Sequence, residues 1–101
     1  MLYQQGDVLI EKINSVKGDK KKHWTLAEGE ATGHYHRVIK KDRDHVEIYE
    51  TDTEMFLKVL EKPATIEHEE HKPIVVEPGE YIVRKVREWD YDEMEARDVR
   101  D

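Results

Sequence analysis

Six histidines occur in the chain, and four of them fall in two close pairs: His34 and His36 within "GHYHR", His68 and His71 within "HEEH". Imidazole changes charge near neutral pH, and its neutral form is a ligand for transition metals, so such clustering points either to a metal site or to acid–base chemistry. The chain has no cysteine, which excludes a disulfide framework, a thiolate metal site and a Cys nucleophile. Histidine, carboxylate, hydroxyl, Tyr, Lys and Arg must carry any chemistry.

The spacing gives these residues a geometry. If residues 33–40 form a strand, His34, His36 and Val38 share one face, and Tyr35, Arg37 and Ile39 the other. The two imidazoles then stand about 7 Å apart at the Cα level, a separation that lets both converge on one ion. Gly33, just before them, leaves room for a ligand or a close strand. In "ATIEH", Ala64, Ile66 and His68 share a face, so His68 ends a strand on its apolar side. Glu69 and Glu70 then lie in the turn leading to Pro73, which lets His71 fold back beside His68. Four imidazoles meet if the two strands are neighbours.

Three readings follow. The first is a mononuclear site for a divalent transition metal such as Zn, Fe, Ni or Mn. Its ligands are His34, His36 and His68, and His71 is a fourth ligand or a partner of one. Glu69 or Glu70 orients an imidazole or acts as a base on water at the metal. The second is metal-independent: two histidines across a cleft act as general base and general acid on a phosphodiester that carries its own 2′-hydroxyl, in a small or single-stranded nucleotide substrate. There the phosphate falls to Arg84, Lys85 or Arg87, because Arg37 points to the opposite strand face. The third is a non-catalytic module whose exposed strand edge pairs with its copy in a homodimer. His23 and His45 stand alone at predicted loop edges and read as surface residues.

The elements that must position these groups are strands. "DVLIEKI" and "HVEIYE" alternate apolar and polar residues and are rich in β-branched types, and only the last dozen residues carry any helical spacing. Strands are predicted near 6–13, 24–30, 33–40, 45–50, 55–60, 63–68, 73–77 and 80–89. The charged, Gly- or Pro-containing segments "SVKGDKKK", "KKDRD", "TDTE", "EEHKP" and "EPGE" lie between them as turns. Pro78 and Gly79 predict a type II turn in a hairpin joining "PIVV" to "YIVRKVREW". Strands this short and evenly spaced predict an all-β fold, a small antiparallel barrel or sandwich. Val8, Ile10, Leu26, Phe56, Val59, Ile66, Val75, Val83 and Val86 are its expected core. "YIVRKVREW" mixes charge into both faces, as guarded edge strands do.

At 101 residues there is room for one domain, assigned to residues 1–90, with a charged tail over 91–101 that is either a short helix or a partly disordered end. A charged fraction of 41%, against roughly a quarter in ordinary globular chains, implies a heavily charged surface. The net charge of −7 disfavours long nucleic acid and anionic membranes, though not a small nucleotide. No apolar run approaches the roughly 20 residues of a membrane span, and the amino terminus lacks a signal-peptide pattern. A soluble, cytoplasmic protein is the expectation.

Two resemblances bear on the histidines. "EATGHYHRV" resembles the first half of a cupin motif, in which a glycine precedes an HxH that supplies two metal ligands, and "EPGEY" resembles the Pro-x-Gly turn of the second half. The resemblance implies a cupin-like fold with a metal on His34 and His36. The cupin pattern also has a glutamate ligand after HxH and a histidine after the Pro-Gly turn. Here "RVIKKDRD" offers only Asp42 and Asp44, and no histidine follows Gly79. A second resemblance spans most of the chain through "QGDVLI", "LAEGEATGHYHR", "IEHEEHKPI", "PGEYIV" and "REWDY". It is to a family of small bacterial, archaeal and phage-type proteins without an assigned activity, and it implies that the two histidine clusters form one site.

Overall fold

Alternating sequence becomes ten short strands in the computed structural model, which describes residues 1–28 and 33–86. In chain order they are β1 (Leu2–Gln5), β2 (Val8–Ile13), β3 (Asp19–Lys21), β4 (Thr25–Glu28), β5 (Tyr35–Val38), β6 (Val46–Glu50), β7 (Met55–Val59), β8 (Ala64–Glu67), β9 (Ile74–Val76) and β10 (Gly79–Lys85). A 3-10 turn over Lys40–His45 stands where "KKDRD" read as a plain loop. The charged tail expected over 91–101, and the end of the last predicted strand, lie outside the described residues.

The strands form two antiparallel sheets, one of six strands in the order β1-β2-β10-β7-β6-β3 and one of four in the order β4-β5-β8-β9. They do not close into a barrel. Of the two expected architectures the arrangement is consistent with the sandwich, because inward-facing residues of both sheets share one core. Val8, Ile10, Ile48, Leu57, Tyr81 and Val83 from the larger sheet pack with Leu26, Val38, Ala64, Ile66 and Val76 from the smaller one. Burying a side chain of this size contributes roughly 1.5–3 kcal/mol.

Three core expectations need correction. Val75 is 53% exposed, because β9 turns Ile74 and Val76 inward and its middle residue faces out. Phe56 is buried, but on the outer face of the larger sheet opposite Ile82, since the alternation of β7 gives the core to Leu57 and Val59. Val86 is only half-buried beyond the end of β10, where its backbone N–H donates to Asp7 O at 2.8 Å.

The "EPGE" segment is not a hairpin. β9 pairs with β8 and β10 pairs with β2 and β7, so the chain crosses from one sheet to the other at this corner, and "YIVRK" is an inner strand, not the guarded edge its charges suggested. Gly79, with φ 155°, does not take the value of about +80° that a type II turn requires. The Tyr81 hydroxyl instead closes the corner by donating to Glu77 O at 2.6 Å. "SVKGDKKK" holds the short edge strand β3, and the segment expected as one strand over 6–13 is preceded by the separate strand β1.

β1 is an edge of the larger sheet and β9 an edge of the smaller, and the two edges touch. The Glu77 N–H donates to the Tyr3 hydroxyl at 3.1 Å across this seam. The histidines gather here.

Candidate functional site: a histidine cluster at the seam of two sheets

β5 and β8 pair directly, with Val38 opposite Ile66 and Arg37 opposite Glu67, so the condition for the two histidine pairs to meet is fulfilled. The His36 and His68 rings have centroids 4.2 Å apart. His71 lies 4.7 Å from His68 and 5.9 Å from His36, and His34 stands edge-on to His68 at 5.6 Å. All four expected histidines belong to one cluster.

His36 is the most deeply set, 1% exposed on the inward face of β5. Its Nδ1 lies 2.9 Å from Oε1 of Gln5, the last residue of β1. The Gln5 amide nitrogen donates to the carbonyls of Ile66 and Lys72, each at 2.9 Å. Carbonyls can only accept, so the carboxamide is fixed with its oxygen toward His36, and Nδ1 of the ring must carry the proton. Burial, with repulsion from His68 next, holds the His36 pKa down at about 4 against an ordinary 6.5, while the Asp7 carboxylate partly opposes this. His36 is therefore neutral at pH 7, and its Nε2 carries a lone pair 3.7 Å from Asp7 Oδ1.

Asp7 comes from the two-residue turn between β1 and β2. Its other oxygen lies 3.8 Å from Lys85 Nζ, which also donates to Glu28 O. Gly6 in the same turn has φ +60°, the left-handed region a primed hairpin turn assigns to glycine at its first position. A Cβ there would stand 2.5 Å from His71 Nε2. The missing side chain makes room for the His71 ring.

The tautomer of His68 runs the other way. Its Nδ1 accepts the backbone N–H of Glu70 at 3.0 Å, so in the neutral ring the proton sits on Nε2. That nitrogen is buried and has no hydrogen-bond partner among the described residues.

The two glutamates of "HEEH" part company. Glu70 Oε2 approaches His34 Nδ1 at 3.6 Å and borders the cluster. Glu69 turns away: its carboxylate accepts the Tyr35 N–H at 2.9 Å and an Arg37 N–H at 3.1 Å, and these contacts, the Tyr35 bond first, lower its pKa. Arg37 also binds Glu67, on the strand face opposite the histidines.

Of the two histidines read as surface residues, His23 is half-exposed and bonds Glu50 at 2.8 Å. His45 is a correction. It is 5% exposed under the 3-10 turn, with Nδ1 2.8 Å from Asp44 Oδ1 and Nε2 donating to Pro63 O at 3.0 Å. Those contacts, the Pro63 bond first, raise its pKa.

Among the described residues, no three His, Asp or Glu side chains already stand in an arrangement that could hold a metal ion. The near-ligand pair is His36 and Asp7, and the sequence reading missed Asp7 and Gln5. The signal available for them was the "QGD" turn at the start of "QGDVLI", whose Gly6 precedes an acidic residue at the head of a strand.

The family model described as "Domain of unknown function (DUF8820)" matches residues 4–86, so the chain belongs to that family. That span takes in Gln5, Asp7 and all four clustered histidines. Neither the curated proteins nor the solved structures contain a match.

Proposed function

We propose that this member of the DUF8820 family binds a divalent transition metal at the seam cluster, with His36 Nε2 and Asp7 Oδ1 as first ligands and His71 and His34 turning in to complete the set. The observation that carries this reading is the state of His36. Its Nδ1–H is bound by Gln5 and its Nε2 lone pair faces a carboxylate. A carboxamide or carboxylate behind the far nitrogen is how proteins orient an imidazole that ligates through the near one. A lone pair opposite a carboxylate is unfavourable unless a cation or proton lies between them. Two donors at the usual 2.0–2.2 Å from a tetrahedral ion stand about 3.4 Å apart, near the 3.7 Å seen here.

The donor chemistry, imidazole with carboxylate, favours Zn, Fe, Ni or Mn over Mg and Ca, which prefer oxygen alone. Binding must draw His71 and His34 inward. Both rings belong to residues outside strands, His71 after β8 and His34 before β5, and their side chains can reorient with little disturbance of the sheets. Calorimetric titration of protein purified without a histidine tag tests the reading. Binding of one of these metals, lost in His36→Ala and in Asp7→Asn and kept in His23→Ala, is expected; equal binding by wild type and His36→Ala would refute it.

A second reading is favoured by one observation, the opposite tautomers of His36 and His68. A ring nitrogen that accepts and one that donates, in rings 4.2 Å apart, are what general base and general acid need in cleaving a phosphodiester. Cleavage of a mixed oligonucleotide set in chelator, abolished in both His36→Ala and His68→Ala, would put this reading first.

A further inference from the structure

His68 was expected as a metal ligand from its strand position and its ring type. The hydrogen bonds assign it differently. A ligating imidazole nitrogen must present a lone pair, and the other nitrogen then carries the proton and donates it. In His68 the far nitrogen, Nδ1, is already an acceptor, because a backbone N–H can do nothing but donate and that of Glu70 points at it from 3.0 Å. Nε2 is therefore an N–H. It is buried inside the cluster, without an acceptor among the described residues. Buried donors are almost always satisfied by protein, water or ligand, so this N–H is available to an acceptor that enters the cluster.

The geometry points to His68 as a hydrogen-bond donor to a bound carboxylate, and not as a ligand of the metal. This rests on the metal reading above: one carboxylate oxygen takes an open position on the ion beside His36 and Asp7, and the second accepts the His68 N–H. A single unsatisfied donor next to a cation suits a carboxylate. A phosphate would need several donors, and Lys85, the cation beside Asp7, is already engaged by Asp7 and Glu28 O. The Glu70 N–H holds the His68 tautomer, and Glu70 Oε2 lies 3.6 Å from His34 Nδ1. The "HEEH" loop then serves to orient one donor, and "GHYHR" with "QGD" to bind the ion.

Two measurements test this. Ring-nitrogen NMR shifts of the metal-free wild type read the tautomers directly: His36 should carry its proton on Nδ1 and His68 on Nε2, and a His68 protonated on Nδ1 overturns the inference whether or not a metal binds. Zinc and acetate titrations form the second arm. His68→Ala should lower zinc affinity at least tenfold less than His36→Ala does, while weakening acetate binding to the zinc-loaded protein by about 10- to 100-fold, the weight of one hydrogen bond to a charged group. His68→Gln, which keeps an N–H, should restore part of it. If His68→Ala loses zinc as fully as His36→Ala, His68 is a ligand and the inference falls while the metal reading stands. If the wild type binds no zinc, the metal reading falls, and the inference falls with it unless metal-free protein binds acetate through His68. Phosphate binding that exceeds acetate binding and depends on His68 overturns the choice of carboxylate.

Discussion

Replacing Gly6 by alanine separates the backbone of the candidate site from its side chains. At φ +60° an L-residue is strained by roughly 1–2 kcal/mol, and this cost stays whatever the neighbours do. The new Cβ also falls 2.5 Å from Nε2 and 2.9 Å from Cδ2 of His71. Since His71 is exposed, its ring can swing away at little cost in stability but no longer lies over the turn. Gly6→Ala should therefore lower stability by roughly 1–2 kcal/mol, read as a fall of roughly 1 M in the urea midpoint at constant slope. Metal affinity should fall as far as it does in His71→Ala. The double variant decides between the two effects. In a His71→Ala background the stability loss from Gly6→Ala should persist within about 0.5 kcal/mol, and its effect on metal affinity should vanish. A stability loss below about 0.5 kcal/mol, or a loss that disappears when His71 is removed, would refute the assignment of a left-handed Gly6 under the His71 ring.

The remaining expectations concern protonation and packing. His36 has its folded pKa lowered to about 4 from 6.5, so the unfolded chain binds the proton more tightly. Its contribution is fully present above pH 6.5 and is lost as pH falls toward 4, by an amount on the order of 3 kcal/mol; in denaturation across that window the wild type should lose stability relative to His36→Gln as pH falls, with the difference between them constant above pH 6.5. His45 has the opposite sign. Its raised pKa contributes stability below pH 6.5 that is lost as pH rises through the folded value, so the cost of His45→Gln should shrink with rising pH. Ile66→Ala, at a fully buried position where β8 faces the core, should cost roughly 2–5 kcal/mol by chemical denaturation. Glu69→Ala removes contacts only from the exposed Arg37 face and should change stability by less than about 1 kcal/mol, with metal binding intact.

Which parts of this molecule were legible without its structure follows from the range of the interactions involved. Alternation is local: Val8 and Ile10, Ala64 and Ile66 announce inward faces over a few residues, and eight of the ten strands could be placed from it. Residue type is local too, so the imidazoles of "GHYHR" and "HEEH" pointed to a candidate site, and alternation put His36 on one face with Val38; that this face is the core side comes from the structure. β3 escaped because "DKK" has no apolar residue to alternate, and its strand state comes from pairing with β6. Val75 was misplaced because in a three-residue run of β-branched residues either phase is equally apolar, and the packing of Ile74 and Val76 decides.

Sheet membership was out of reach for the same reason. Pro78 and Gly79 mark a change of direction, but a hairpin and a corner between sheets use the same turn residues, and only the partners of β9 and β10 tell them apart. The site shows this most sharply. Gln5 is 31 residues from His36 in sequence and 61 from Ile66, and it fixes the proton of one by donating to the carbonyl of the other. Asp7 faces His36 because the edge of one sheet meets the edge of the other at β1 and β9. Sequence determined which chemical groups were present and, through alternation, which way they faced. The fold determined which of them meet, and with that the pKa of His36 and the tautomers of His36 and His68, because burial and hydrogen bonding depend on neighbours in space rather than along the chain.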